Sequence, residues 1–168
     1  MNYEMKELWL TGTQLLVEKK YRAAEEILLK ALSLRHERED LIYEHLVYNK
    51  LIDLYYKLRG ERADALDKCI NYCLADIKIL PKFLKEDEAQ NPIQYFPPEC
   101  PSLKRLAIIY EKQKEYGKAM EICELAIELG INKRYDWSNK KYGKREGYQY
   151  RLEKLKRKIG SEQSKVRR

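Results

Sequence analysis

The residue types and spacings that catalysis requires are nearly absent from this chain. Its two histidines are His36, in a charged turn, and His45, on a predicted helix with no Cys, Asp or second His at ligand spacing. Paired carboxylates such as Glu25 and Glu26 are typical of a solvated helix face. The sequence contains no nucleophile elbow and no phosphate-binding glycine loop. We therefore expect a protein without enzymatic activity.

The spacing of the four cysteines does not match a metal-binding finger. Cys69 and Cys73 lie one turn apart on a predicted helix, and Cys123 falls on an apolar stripe. Thiols on such faces are typical of a protein core in a reducing compartment. The chain has no apolar run that could span a membrane and no signal-peptide layout at its N-terminus. We therefore expect a cytoplasmic protein with free core thiols, no bound metal and no membrane partner.

The composition favours a single helical domain. Of the 168 residues, 44% are hydrophobic and 36% are charged, while only seven are Gly and five are Pro, so turns are few and helices are long. The net charge of +7 is unevenly distributed, because residues 132–168 carry +10 and residues 1–131 carry −3. The basic character therefore belongs to the C-terminal segment.

Residues 101–130 contain two amphipathic helices joined by a short polar turn. Each helix has one apolar stripe with three- and four-residue spacing, which indicates a single buried face. Residues 3–34 repeat the pattern, since the alignment that places Tyr21 on Tyr116 also places Gly12 on Ala107. A residue with little or no side chain is needed at this position because the paired helices approach closely there. The two stretches therefore predict a repeated helical hairpin.

Residues 39–79 form a weaker third copy between these two, with Gly60 at its turn. A Pro-rich insertion at 81–100 follows, and we expect the helix before it to end near Leu80 because prolines disfavour a continuous helix. The insertion has room for a short helical turn around 82–88, and it is either an ordered connector or a binding loop.

The C-terminal part, residues 131–160, is a basic capping segment. It ends in a predicted helix over about 148–159 with one apolar face, as the end of a helical solenoid requires. We expect residues 161–168 to form a flexible tail. Together these elements predict an all-α solenoid of three hairpins with a C-terminal capping helix, forming one domain over 1–160.

The hairpin pattern resembles the tetratricopeptide repeat (TPR) family. The residues that match the pattern of that family are Leu8, Gly12, Tyr21, Ala24 and Ala31 in the first copy and Leu106, Ala107, Tyr110, Tyr116, Ala119 and Ala126 in the last. The closing Pro of the family pattern is missing from both copies. The resemblance implies a protein-interaction module without a cofactor, which binds a peptide or a partner helix in a concave groove. The apolar end faces of three repeats would also permit a homo-oligomer.

By this resemblance, the groove is lined by the first helix of each hairpin. The implied groove residues are Trp9, Thr13, Lys50, Leu54, Lys57, Lys104, Ile108 and Lys112. Such a mixture of apolar and cationic side chains suits a peptide that is partly apolar and partly acidic. Alternatively, Trp9 packs beneath a neighbouring helix and the lysines are only solvated.

A second hypothesis comes from the C-terminal segment, where cations alternate with aromatic residues. Cations attract phosphates, and aromatic rings can stack on unpaired bases. The candidate residues for this nucleic-acid-binding activity are Lys133, Arg134, Lys140, Lys141, Lys144 and Arg145. The alternative is that the aromatic residues pack on the last hairpin while the lysines keep this end of the chain soluble.

Overall fold

The computed structural model describes residues 3–36, 41–90, 98, 100–131 and 147–166. Over these residues the protein consists of seven α-helices and one short 3₁₀ helix, with no β-strand. The predicted all-α class is therefore confirmed. The chain divides into two compact units, Met1–Gln90 and Asn91–Arg168, and each is described separately.

The first unit contains two helical hairpins. Helices α1 (Tyr3–Val17) and α2 (Tyr21–Ser33) form one pair, and α3 (Leu41–Leu58) and α4 (Ala65–Gln90) form the other. Helix α3 also contacts both α1 and α2, so the second hairpin packs on the first. The 3₁₀ helix Leu34–His36 follows α2 directly.

A close approach at Gly12 fixes the first hairpin. Gly12 is buried, and a Cβ atom at this position would lie 2.7 Å from both Cδ2 and Cγ of Leu28 on α2. Leu28 and Ala24 are themselves fully buried. The predicted requirement for a residue with little or no side chain at position 12 is therefore confirmed.

The second unit contains one hairpin and the C-terminal helix. Helices α5 (Pro101–Lys112) and α6 (Tyr116–Glu128) pair with each other, and α7 (Tyr148–Val166) packs on α6. Pro101 occupies the first turn of α5, where its missing N–H breaks no helical hydrogen bond. The sequence predicts an apolar face of α7 formed by Tyr148, Leu152, Leu155 and Ile159. The first three are buried and Ile159 is half-buried.

The turns of the first and last hairpins have the same backbone geometry. Lys19 and Lys114, which are equivalent in the repeat alignment, both adopt the left-handed conformation, with φ of 59° and 62°. The next residue in each turn donates its N–H to the carbonyl five residues earlier, Lys20 to Leu15 and Glu115 to Tyr110, each at 2.9 Å. This arrangement satisfies carbonyls that the end of a helix leaves without partners. The sequence repeat therefore extends to the hydrogen bonds of the turn.

Two predicted helix ends are wrong. Helix α4 does not end near Leu80 but continues through Pro81 to Gln90, so residues 81–90 of the predicted insertion are helical. The burial of Phe83 and Leu84, just beyond the proline, favours this continuation, because packing against the core offsets the hydrogen bond that proline cannot donate. Helix α7 likewise continues past 159 to Val166, since no proline follows to end it.

Candidate interaction sites

The side of α1 that faces α3 carries two of the predicted groove residues, Trp9 and Thr13. Both are half-buried, and the ring of Trp9 lies 6.0 Å from the ring of Tyr43 on α3 at an interplanar angle of 59°. Within the described residues, neither Trp9 Nε1 nor Thr13 Oγ1 has a hydrogen-bond partner. Both atoms are buried, so this side of α1 is marked by aromatic packing rather than by accessible hydrogen-bonding groups.

An exposed row of apolar side chains runs along α1 beside these residues. Tyr3, Leu10 and Val17, which we call the α1 row, recur every seven residues and are 71%, 43% and 72% exposed. Seven residues make nearly two helical turns, so the three side chains lie on one side of the helix. Thr13 stands three residues after Leu10 and four before Val17, so the row borders the side of α1 that faces α3.

The α1 row was not predicted, because only the apolar stripe that the hairpin buries was assigned to α1. The signal was present in the sequence as a second apolar repeat, displaced around the helix from Met5 and Gly12. A helix with two apolar stripes can bury one within its own hairpin and present the other to a partner.

The predicted groove residues of α3 share one side of the helix but differ in exposure. Lys50 is half-buried, and Lys57 is exposed and pairs with Asp53 at 2.9 Å. Leu54 is fully buried, so the expectation that it lines a groove is wrong. Spacing alone does not separate these residues, because Leu54 lies four residues after Lys50 and three before Lys57. The edge of α3 that holds Leu54 is buried by packing within the first unit, whereas the edge that holds Asp53 and Lys57 is more exposed.

The remaining predicted groove residues lie on α5 in the second unit. Lys104, Ile108 and Lys112 follow one another at four-residue spacing along one side of the helix. The two lysines are exposed and Ile108 is half-buried.

A cluster of cations surrounds Glu111 on the adjoining edge of α5. The carboxylate, only 12% exposed, lies 2.5 Å from Arg151 Nη1, 2.7 Å from Lys158 Nζ and 3.6 Å from Lys154 Nζ, all on α7. Burial favours the neutral carboxyl, but the hydrogen bond from Lys158 and the positive charges of the three α7 side chains outweigh it and lower the pKa of Glu111. Three cations share one carboxylate, so positive charge is in excess along this edge.

The candidate nucleic-acid-binding residues of the sequence analysis lie outside the described residues. They are Lys133, Arg134, Lys140, Lys141, Lys144 and Arg145.

A buried polar cluster between α3 and α4 was also missed. His45 Nδ1 lies 2.7 Å from Asp76 Oδ1, and Asn49 Nδ2 lies 3.0 Å from His45 Nε2. The imidazole stacks on Phe83, with ring centroids 4.1 Å apart. His45 is 1% exposed and Asp76 is fully buried, so the cluster holds the hairpin together rather than meeting a substrate. Its signal in the sequence is Asp76 itself, which interrupts the inward series Cys73, Leu80 and Phe83.

The described residues contain no group of three or more potential metal ligands. The four cysteines, all among the described residues, are buried and form no disulfide, so the predicted core thiols are confirmed. Burial raises the pKa of Cys123 to about 11, which disfavours a reactive thiolate at this position.

Among the described helices, none is long and apolar enough to cross a membrane.

No protein-family model, curated protein or solved structure matches the chain.

Proposed function

We propose that this protein is a non-enzymatic protein-interaction module that binds an amphipathic helix or peptide on the α1–α3 side of its first unit. The observation that carries the proposal is the α1 row, because three large apolar side chains at seven-residue spacing are exposed on one helix. A partner helix with its own apolar stripe could pack along such a row.

The surroundings of the row support the same function. Trp9 and Thr13 lie beside it, and the ring of Trp9 packs 6.0 Å from the ring of Tyr43 on α3, so the row borders an aromatic surface. Lys50, Asp53 and Lys57 on α3 supply charged groups at the edge of the proposed site. There they would determine the register of a bound partner more than they would increase its affinity. The resemblance of the hairpins to tetratricopeptide repeats is consistent with this use of first helices as a binding surface.

The test is a pull-down from native lysate, with and without nuclease, that compares three forms of the protein. The first is the wild type, and the second carries Leu10→Glu and Val17→Glu. The third, a matched control, carries Leu29→Glu and Leu74→Glu, which change side chains of similar exposure to Leu10, 38% and 39%, on α2 and α4. Partners that survive nuclease, are lost with the α1 variant and are retained by the control support the proposal. Equal retention by both variants contradicts it.

A further inference from the structure

A second surface, in the other unit, has different chemistry. Lys104 and Lys112 project from α5, and Arg151, Lys154 and Lys158 project from α7 beside Glu111. We call these five cations the basic face. Lys104 lies seven residues before Glu111 on α5, so it shares the side of that helix that α7 borders. The five cations therefore lie on two helices that the ion pairs of Glu111 connect.

Charge is unevenly distributed within this unit. The basic face holds five cations and Glu111, whose carboxylate lies within 4 Å of three of them. The exposed side of α6 carries mainly acidic residues, Glu121, Glu124 and Glu128, beside Lys118, which pairs with Glu115. Positive charge that served only for solubility would not need to be collected on one side, whereas such a patch is the electrostatic feature of a surface that binds a polyanion.

We propose that the basic face binds the phosphate backbone of single-stranded nucleic acid. The five cations extend for about 12 Å along α5 and about 10 Å along α7, as an extended polyanion requires. Tyr150, 39% exposed on α7, offers a ring on which an unpaired base can stack. The outer side of α7 also carries Glu153, Lys154 and Arg157, all exposed, and so lacks the apolar face with which an amphipathic helix enters a membrane.

The salt dependence of binding is the first quantity to measure. Lys104, Lys112 and Lys154 are the exposed members of the basic face. Three phosphate contacts to a single strand give a slope of log K against log salt of about −2. We expect fluorescence anisotropy of the full chain with a short, labelled, mixed-sequence single-stranded RNA to show this slope between about 50 and about 200 mM salt.

A charge-matched pair of variants separates the basic face from net charge. The test variant carries Lys104→Gln, Lys112→Gln and Lys154→Gln. The control carries Lys30→Gln, Lys78→Gln and Lys85→Gln, which remove the same charge from exposed positions in the first unit. We expect the test variant to bind the RNA at least about tenfold more weakly and to lose most of the salt slope, while the control stays close to the wild type.

Several outcomes would overturn this inference. The first is an equal loss of RNA affinity in the two variants, and the second is wild-type binding that does not depend on salt. The third is displacement of the labelled RNA by polyglutamate or by phosphatidylserine vesicles as effectively as by unlabelled RNA of equal charge. The inference stands apart from the α1–α3 site, because the changed side chains lie in the other unit and the pull-down variants leave all five cations in place.

Discussion

His45 and Asp76 form a buried pair between α3 and α4, with Nδ1 and Oδ1 2.7 Å apart. The pair joins two helices at positions 31 residues apart in the chain, and His45 also stacks on Phe83 beyond Pro81. One imidazole therefore contacts α4 on both sides of its proline. This contact, with the burial of Leu84, accounts for a helix that continues where the sequence predicts its end.

Removing one member of the His45–Asp76 pair should lower the stability of the fold, because the other member is left buried without its partner. We expect His45→Leu to lower the free energy of unfolding by about 3–5 kcal/mol, measured by urea denaturation followed by circular dichroism. The double variant His45→Leu/Asp76→Leu should recover most of this loss, since Asp76 is then no longer left buried without its partner. As a control, Asp53→Ala removes the exposed partner of Lys57 and should cost less than about 1 kcal/mol. A cost for His45→Leu as small as that for Asp53→Ala would refute the structural role of the pair.

The packing of α1 on α2 makes a second prediction. Gly12→Ala places a methyl group 2.7 Å from Leu28 Cδ2 and Cγ, so Leu28 must shift and stability should fall by about 1–3 kcal/mol. Gly117→Ala on α6 is the matched control, because no atom lies within 4 Å of the added Cβ. The control should be neutral or stabilising by up to about 1 kcal/mol, since Ala favours helix over Gly. Thermal unfolding of both variants measures the difference, and equal effects would count against the close approach.

The lowered pKa of Glu111 predicts how the second unit responds to acid. A carboxyl whose pKa is lowered by folding contributes stability above its unfolded value, near 4.5, and loses that contribution as pH falls through the lower folded value. We therefore expect α7 to lose hydrogen-exchange protection progressively as the pH falls below about 4.5, and the ion pairs with Arg151 and Lys158 to break once the pH has passed the lower folded pKa. In Glu111→Gln, protection of α7 should be weaker at neutral pH and should change less on acidification. If protection of α7 in Glu111→Gln fell on acidification as much as in the wild type, Glu111 would be excluded as the origin of the pH dependence.

Local chemistry made part of the fold predictable from the sequence. The equivalent turns at Lys19 and Lys114 follow from a repeated pattern of apolar and small residues, and the close approach at Gly12 follows from the absence of a side chain. The buried face of α7 follows from the spacing of Tyr148, Leu152 and Leu155.

Other features depend on packing that the local sequence does not encode. The partner of His45 lies on another helix, so a search for ligands near it in the chain could not find Asp76. The continuation of α4 through Pro81 depends on contacts made beyond the proline. Leu54 was assigned to a groove by analogy with other repeats, whereas its position in α3 places it inside the hairpins.

Site-specific photo-crosslinking tests the proposed α1–α3 site most directly. A photoreactive phenylalanine analogue replaces Leu10 in one variant and Leu29 in a control variant, and each is irradiated in native lysate after nuclease treatment. The account predicts a defined covalent adduct to a protein partner from position 10, and none from position 29. Adducts of equal yield from both positions, or from position 29 alone, would contradict it.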